Sequence, residues 1–319
     1  MVKKLTSQLN NTSVMALALA VILFFAMSVL RPTAFTLTSL ATILANASLL
    51  LFVSAAQMTA ITSGGGGIDL SVGAIMSTTA CLTVEIMNGN HDMLIPVVLI
   101  CVAFGFLVGI LNGAGVAYIK MPALIMTLCM ANVLTKFQPI FSGSAPRGQV
   151  SQELADSLAR RFFGFIPGFF IVAVIFYIFV VYCMTHAQFG MRLNLAGTNF
   201  EAAQLSGIDA KRVRMMAYAI GGMMAGLGGV MGAGYYKQMQ IATFDGYTMQ
   251  SIVAVVIGGT MLSGGKPSYF GTFTGTVMFV TLSLFLSTID TAVPMRNIVM
   301  GGMLITLLVI YNRKPSVRQ

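Results

Sequence analysis

The sequence predicts an all-α, polytopic membrane protein with about ten transmembrane helices. Of its 319 residues, 57% are hydrophobic and only 8% are charged, whereas about a quarter of the residues in an average soluble domain are charged. The mean hydropathy is correspondingly high, at +0.87. The apolar residues also occur in long runs with short interruptions, which is typical of successive membrane-spanning helices.

Ten apolar segments have roughly the length of a membrane-spanning helix, which is about 20 residues. Delimited by Pro, Gly and charged residues, they cover 13–30, 42–62, 70–88, 94–117, 122–140, 166–185, 213–235, 248–263, 270–288 and 296–312. The first segment leads to Arg31 and Pro32 without a small-residue cleavage site, so we expect it to be retained. Residues 1–319 are expected to form a single transmembrane domain.

Positive charge predicts the orientation of these spans. Ten spans place both termini on one side of the membrane. Eleven of the 18 Lys and Arg residues fall on that side, which the positive-inside rule assigns to the cytoplasm. The predicted cytoplasmic segments include the N-terminus (1–12), the connection 186–212 and the tail (313–319).

The connection 142–165 is predicted to be external. It is expected to contain a short amphipathic helix from about Ser151, with Leu154, Leu158 and Phe162 on one stripe. This helix is a candidate for resting on the membrane surface or for meeting an external partner. Asp245 is assigned to another external connection.

The cytoplasmic connection is predicted to contain a short helix from Asn199 to Leu205, with Thr198 or Asn199 as N-cap and Gly207 ending it. Small side chains would keep this helix narrow enough to enter a groove of a partner protein, and polar side chains would orient it. An ordinary capped loop helix is the alternative. The candidate docking residues are Asn199, Glu201, Ala202, Ala203, Gln204, Leu205, Ser206 and Gly207.

Several polar residues occur within or near the apolar segments: Asn46, Gln57, Asp69, Asn112, Asn132 and Lys136. Because exposure to hydrocarbon is costly, we expect them to face the protein interior or an aqueous path. They are candidates for a substrate path, and hydrogen bonding between helices is the alternative role. For Asp69, an N-cap of the third span is favoured over a functional carboxylate.

Glycines recur at four-residue spacing in the fourth and seventh spans, at Gly105, Gly109 and Gly113 and at Gly222 and Gly226. This spacing predicts close helix packing. The second to fifth spans and the seventh to tenth spans are almost equal in length, which is consistent with an internal repeat.

Other classes of function are disfavoured. The basic residues lie between apolar runs instead of forming a stripe with aromatics, so nucleic-acid binding is not expected. His91 and His186 are predicted on opposite sides of the membrane, which rules out a shared metal site, and no catalytic combination of Ser, His and acid converges. Residues 260–267 do not match a P-loop, so the chain is expected to bind no cofactor and to hydrolyse no ATP.

Three segments resemble motifs of ribose-type (monosaccharide) ABC importer permeases, a family related to branched-chain amino acid permeases. They are GTNFEAAQLSGI at 197–208, GIDLSVG at 67–73 and AVVIGGTMLSGG at 254–265, and the start of the fifth span at 121–128 is also similar. Two places depart from the family pattern: residues 63–67 are richer in glycine, and Lys266 is followed by Pro267 instead of glycine. Whether the extra glycines at 64–67 alter gating stays open.

The resemblance implies a fold similar to that of vitamin B12-type (type II) ABC importer permeases. It also implies a second permease subunit, identical or different, a cytoplasmic ABC ATPase that holds ATP and Mg, and a periplasmic solute-binding protein. The location would be the inner membrane of a bacterium, and residues 199–207 would be the ATPase-coupling helix. The implied function is ATP-driven alternating access for a pentose or hexose. A nucleoside or sugar-derived signal as substrate, and an ion-coupled secondary transporter, are the alternatives.

Overall fold

The computed structural model describes residues 11–31 and 36–288, together with Met295, Ile298, Val299, Gly301, Gly302 and Ile305. The helices, labelled α1 to α12 in order, are Asn11–Leu30, Leu37–Thr62, Val72–Met87, Leu94–Ala117, Ala123–Ser142, Gln152–Ala159, Gly168–His186, Gln188–Thr198, Phe200–Leu205, Ala210–Tyr236, Tyr247–Ile257 and Tyr269–Thr288. A 3-10 turn, His91–Met93, precedes α4, and an antiparallel hairpin of β1 (Arg161–Phe162) and β2 (Ile166–Pro167) precedes α7. The all-α prediction is confirmed.

Seven helices in the described residues are long and apolar enough to cross a membrane. They are α1, α2, α4, α5, α7, α10 and α12, and each coincides with one of the predicted segments. The predicted third and eighth spans are the shorter apolar helices α3 and α11. The predicted tenth span and the tail 313–319 lie outside the described residues, except for a few isolated positions. Nearly all of the segment 1–12 also lies outside them.

The two shorter helices begin inside the bundle. With 16 and 11 residues, α3 and α11 are about 24 and 17 Å long, which is less than the roughly 30 Å of a hydrocarbon core. Their first turns meet, because the backbone N–H of Gly73 donates to Thr248 Oγ1 over 3.0 Å. The irregular segments 63–71 and 237–246, which lead into these helices, are therefore packed against other helices of the protein.

The closest helix packing joins α4 to α10. A side chain at Gly105 would collide with the backbone of Gly222, and one at Gly109 would collide with the backbone of Tyr218 and Ala219. Gly113 faces the backbone of Met215 in the same way. The prediction from glycine spacing is confirmed, because these glycines allow the two backbones to touch.

Connections that the charge distribution assigns to one side of the membrane also lie together. On the predicted external side, Gly89 N–H donates to Gln149 O (2.7 Å), His91 Nδ1 lies 3.0 Å from Ser151 Oγ, and Lys237 Nζ lies 3.8 Å from Asp156 Oδ1. The predicted cytoplasmic connections meet on the other side, at the glycine contacts described below.

The short helix predicted in the connection 142–165 is present as α6, with Ser151 as its N-cap, and its Leu154 and Leu158 are buried. The prediction that Phe162 continues this stripe is wrong. The backbone leaves the helical region at Arg160, and Phe162 lies in the β hairpin with 39% of its surface exposed.

Candidate functional site

The connection 186–212, predicted to be cytoplasmic, contains the predicted short helix, observed as α9. Asn199 is its N-cap, since Asn199 Oδ1 accepts a hydrogen bond from the N–H of Ala202 over 3.0 Å. Gly207 follows the helix with φ +80°, a left-handed conformation that glycine adopts without strain. Of the two predicted caps, Asn199 therefore performs this role.

Most of α9 faces away from the rest of the chain. Glu201, Ala202, Gln204, Ser206 and Gly207 are exposed, and Leu205 is 91% exposed. The exposed surface of α9 and its end therefore consists of small and polar side chains together with Leu205.

Ala203 differs from its neighbours because it is only 4% exposed. Its side chain packs inward, so it supports α9 and does not contribute to the exposed surface. Ala203 is one of the candidate docking residues, and its burial removes it from the surface that a partner could contact.

Arg214 attaches α9 to the transmembrane helices. The guanidinium of Arg214 on α10 lies 4.7 Å from the centre of the Phe200 ring, and its Nη2 donates to Ser63 O over 3.4 Å. Arg214 thus links α9 to the end of α2. Asp209 caps α10 by accepting from the N–H of Arg212 over 3.0 Å.

Glycine backbones join three predicted cytoplasmic connections at one place. This glycine junction consists of Gly64 after α2, Gly197 near the end of α8, and Gly264 and Gly265 before α12. A side chain at Gly197 would collide with Thr62 O and the backbone of Gly265, and one at Gly264 would collide with Gly64 Cα. The N–H of Gly265 also donates to Thr62 O over 3.0 Å. A displacement of α8 and α9 would therefore press directly on the connections after α2 and before α12.

Asp69 lies in the connection before α3 but is not its N-cap, contrary to the favoured prediction. Ser71 occupies the cap position, and Asp69 Oδ1 accepts from Ser71 N (2.8 Å) and Ser71 Oγ (2.6 Å). Asp69 lies three residues before the helix and its carboxylate closes a tight turn with Ser71, so it does not reach the free N–H groups of the first helical turn. Burial raises the pKa of Asp69 to about 6, although the hydrogen bonds from Ser71 act in the opposite direction.

Three neighbouring helices hold the segment around Asp69. The Gln57 amide on α2 donates to Asp69 O (2.9 Å) and accepts from Asp69 N (3.2 Å). Asn112 Nδ2 on α4 donates to Ser71 Oγ (2.8 Å), and Thr127 Oγ1 on α5 accepts from Leu70 N (2.9 Å). The structure therefore brings together three of the predicted polar residues, Gln57, Asp69 and Asn112.

The other three predicted path residues lie elsewhere. Asn46 is half-buried on α2, whereas Asn132 and Lys136 are exposed on α5. Asn132 Nδ2 donates to Leu128 O of its own helix over 2.9 Å. Asn132 and Lys136 are four residues apart and so share a face of α5. Whether any of the six residues contacts a solute stays a prediction.

A second polar group surrounds Asp245, which the sequence placed in an external connection. Its Oδ1 accepts from Ser77 Oγ on α3 over 2.7 Å, and its Oδ2 accepts from Thr135 Oγ1 on α5 over 3.0 Å. Ser77 Oγ in turn accepts from the N–H of Phe244 over 2.9 Å. Asp245 therefore fixes the segment 237–246 between α3 and α5.

Gln138 holds the same segment from α5. Its Oε1 accepts from Ala242 N over 2.9 Å, and its Nε2 donates to Thr78 Oγ1 over 3.1 Å. Sequence reasoning missed this group. The available signal was the presence of Ser77, Thr78, Thr135 and Gln138 within otherwise apolar segments, next to an apolar run too short to be a full span.

Within the described residues, no group of three or more His, Cys, Asp or Glu side chains is placed to hold a metal ion.

The described features define a class of protein: an all-α, multi-pass membrane protein with paired short helices in its bundle and a capped, exposed helix on one connection. The sequence profile described as "Branched-chain amino acid transport system / permease component" matches residues 38–308, and the chain belongs to this family. It is therefore a transport component and not an enzyme, from a family that works with an ATPase and a solute-binding protein.

Several curated relatives resemble the chain over most of its length. It is 27% identical to the ribose import permease of Escherichia coli (strain K12), over 92% of this chain and 91% of the relative. It is 30% identical to the fructose import permease of Bifidobacterium longum (strain NCC 2705), over 88% and 81%. It is 26% identical to the autoinducer 2 import permease of Escherichia coli (strain SMS-3-5 / SECEC), over 95% and 88%. No solved structure matches the chain, so the similarity to vitamin B12-type permeases stays a prediction.

Proposed function

We propose that the chain is the membrane-spanning permease subunit of an ABC importer that moves a pentose or hexose into the cytoplasm. Membership in the permease family carries this proposal, and the names of the ribose and fructose import relatives supply the substrate class. The autoinducer 2 relative keeps a sugar-derived signal as the second candidate substrate.

The proposed assembly contains two permease subunits in the inner membrane of a bacterium, with both termini in the cytoplasm. An external binding protein delivers the solute, and a separate ATPase binds ATP and Mg. Asn132 and Lys136, both exposed on α5, support a second permease subunit and an aqueous path beside this helix, because these polar groups would be costly in contact with lipid.

The proposed mechanism is alternating access driven by the ATPase. Closure of the ATPase pushes α9 through its exposed residues, including Glu201, Gln204 and Leu205. The cation–π contact of Phe200 with Arg214 and the glycine junction pass this displacement to α10 and to the connections after α2 and before α12. The first of these connections leads into the short helix α3, and the second joins the short helix α11 to α12, so both short helices move with α9.

The proposal is tested in proteoliposomes that contain the chain with the ATPase and the binding protein encoded beside it. We expect ATP-dependent uptake of labelled ribose, fructose or autoinducer 2. Glu201→Arg combined with Leu205→Arg should lower uptake at least tenfold and weaken ATPase binding, because both side chains are exposed on α9. Asp92→Arg, an exposed external control, should leave ATPase binding unchanged.

Uptake that needs no ATP and follows an ion gradient would favour a secondary transporter and overturn the proposal. Unchanged uptake and complex formation in the α9 double variant would leave an ABC importer but exclude the coupling role of α9.

A further inference from the structure

Asp245 is a carboxylate held inside the bundle and yet partly exposed. It lies two residues before the start of α11, with one oxygen bonded to Ser77 on α3 and the other to Thr135 on α5. An ionised carboxylate only accepts hydrogen bonds, and its two oxygens offer about four acceptor positions. The two bonds from Ser77 and Thr135 leave acceptor positions for other donors.

The residues of α5 around Thr135, which contacts Asp245, differ in exposure. Thr135 is half-buried, and the next residue, Lys136, is exposed. Asn132 lies one turn earlier on α5 and is also exposed. Asn132 lies three residues before Thr135 and four residues before Lys136, so its side chain neighbours both and the three form one polar region along the helix. A polar region on a membrane-spanning helix is expected to face water or another protein and not hydrocarbon.

We propose that Asp245, together with Thr135 and Lys136, forms a binding subsite for adjacent hydroxyl groups of the transported sugar. This inference rests on the proposed function and names the site at which the permease itself contacts its solute. Asp245 accepts from two sugar hydroxyls, while Lys136 donates to a sugar oxygen. Neighbouring hydroxyls match the two oxygens of a carboxylate, so an analogue lacking one hydroxyl leaves an acceptor without its donor.

The alternative is that Asp245 only fixes the segment 237–246. The two roles are separable because Ser77 carries much of the structural connection. Ser77 Oγ donates to Asp245 and accepts from Phe244 N, so Ser77→Ala removes both bonds and leaves the carboxylate in place. Asp245→Asn instead removes the carboxylate and leaves the Ser77 hydroxyl. It retains an oxygen that accepts from Ser77 or Thr135 but loses the charge and half of the acceptor capacity.

The experiment compares the wild type, Asp245→Asn and Ser77→Ala in proteoliposomes with the ATPase and the binding protein. Labelled D-ribose and D-fructose are the probes, supplied at concentrations that saturate the binding protein, and ATP hydrolysis is measured in parallel. For Asp245→Asn we expect at least a tenfold loss of maximal uptake, with ATP hydrolysis stimulated by the binding protein within twofold of wild type. Ser77→Ala should retain at least half of the uptake, and Asp92→Asn, an exposed external control, should match wild type.

Equal losses in Asp245→Asn and Ser77→Ala, or a parallel loss of ATP hydrolysis in Asp245→Asn, would assign Asp245 a structural role and overturn the subsite. Wild-type uptake in Asp245→Asn would also overturn the subsite, but the proposed function would stand. If the wild-type complex transports neither sugar, the proposed substrate class fails first and the subsite fails with it.

Discussion

Asp69 is a fully buried carboxyl group, and its Oδ2 has no hydrogen-bond partner among the described residues. Burial raises its pKa from 3.8 to about 6, so the folded state favours the protonated form more than the unfolded state does. The cost of this burial is absent below about pH 3.8. It grows as the pH rises and is complete above about pH 6.

We therefore expect Asp69→Asn to raise the stability of the folded protein, relative to wild type, more at pH 8 than at pH 4. Asparagine keeps an oxygen that accepts from Ser71 but cannot ionise. The difference in unfolding free energy between variant and wild type should shift in favour of the variant by about 2 kcal/mol between the two pH values. Thermal unfolding in detergent at both pH values measures it. A pH-independent effect would show that Asp69 does not titrate in the folded protein.

At this scale the sequence identifies polar residues but not which of them meet. Gln57, Asp69 and Asn112 are conspicuous because their neighbours are apolar. Their association depends on the packing of α2, α4 and the connection 63–71, which no local pattern specifies. The contacts of Asp245 with α3 and α5 were missed for the same reason, because an irregular segment that folds back into the bundle has the composition of a loop.

At the scale of elements, α9 was predictable and α8 was not. The N-cap Asn199, the short helical stretch after it and the terminating Gly207 form a local capping pattern. The sequence therefore contains every residue of this signal. The preceding helix, Gln188–Thr198, buries Gly190, Leu193, Ala196 and Gly197 on one face. Two of these four residues are glycine, which weakens both the apolar pattern and the helix propensity.

The glycine junction explains the glycine at the end of α8. Gly197→Ala places a methyl group against Thr62 O and the Gly265 backbone, so one of three connections must move. We expect a loss of about 2 kcal/mol in unfolding free energy. Gly207→Ala is the control, since it meets open space and costs only about 1 kcal/mol for its left-handed backbone. Denaturant unfolding in detergent compares the two, and an equal or smaller loss for Gly197→Ala would argue against a tight junction.

At the scale of the whole molecule, the two halves share one arrangement. In each half a long helix, α2 or α10, leads through an irregular segment to a short helix, α3 or α11. The first turns of these short helices meet, and the predicted topology makes them run in opposite directions. This pattern is consistent with an inverted repeat. Nearly equal segment lengths hinted at the repeat, but the shortness of α3 and α11 became clear only from the structure, because the apolar runs extend beyond the helices.

The packing of α4 on α10 joins the two halves, and Gly109→Leu tests how much stability it supplies. Leucine has a higher helix propensity than glycine by roughly 0.5–1 kcal/mol, so the substitution would stabilise a helix with free space at this position. Here the new side chain meets the backbone of Tyr218 and Ala219, and we expect a net loss of at least about 2 kcal/mol. Ala103→Leu is the matched control, because Ala103 is exposed on the same helix. Unfolding of both variants in detergent should show destabilisation for Gly109→Leu alone. A neutral or stabilising effect at Gly109 would mean that the two halves are not held together by backbone contact between α4 and α10.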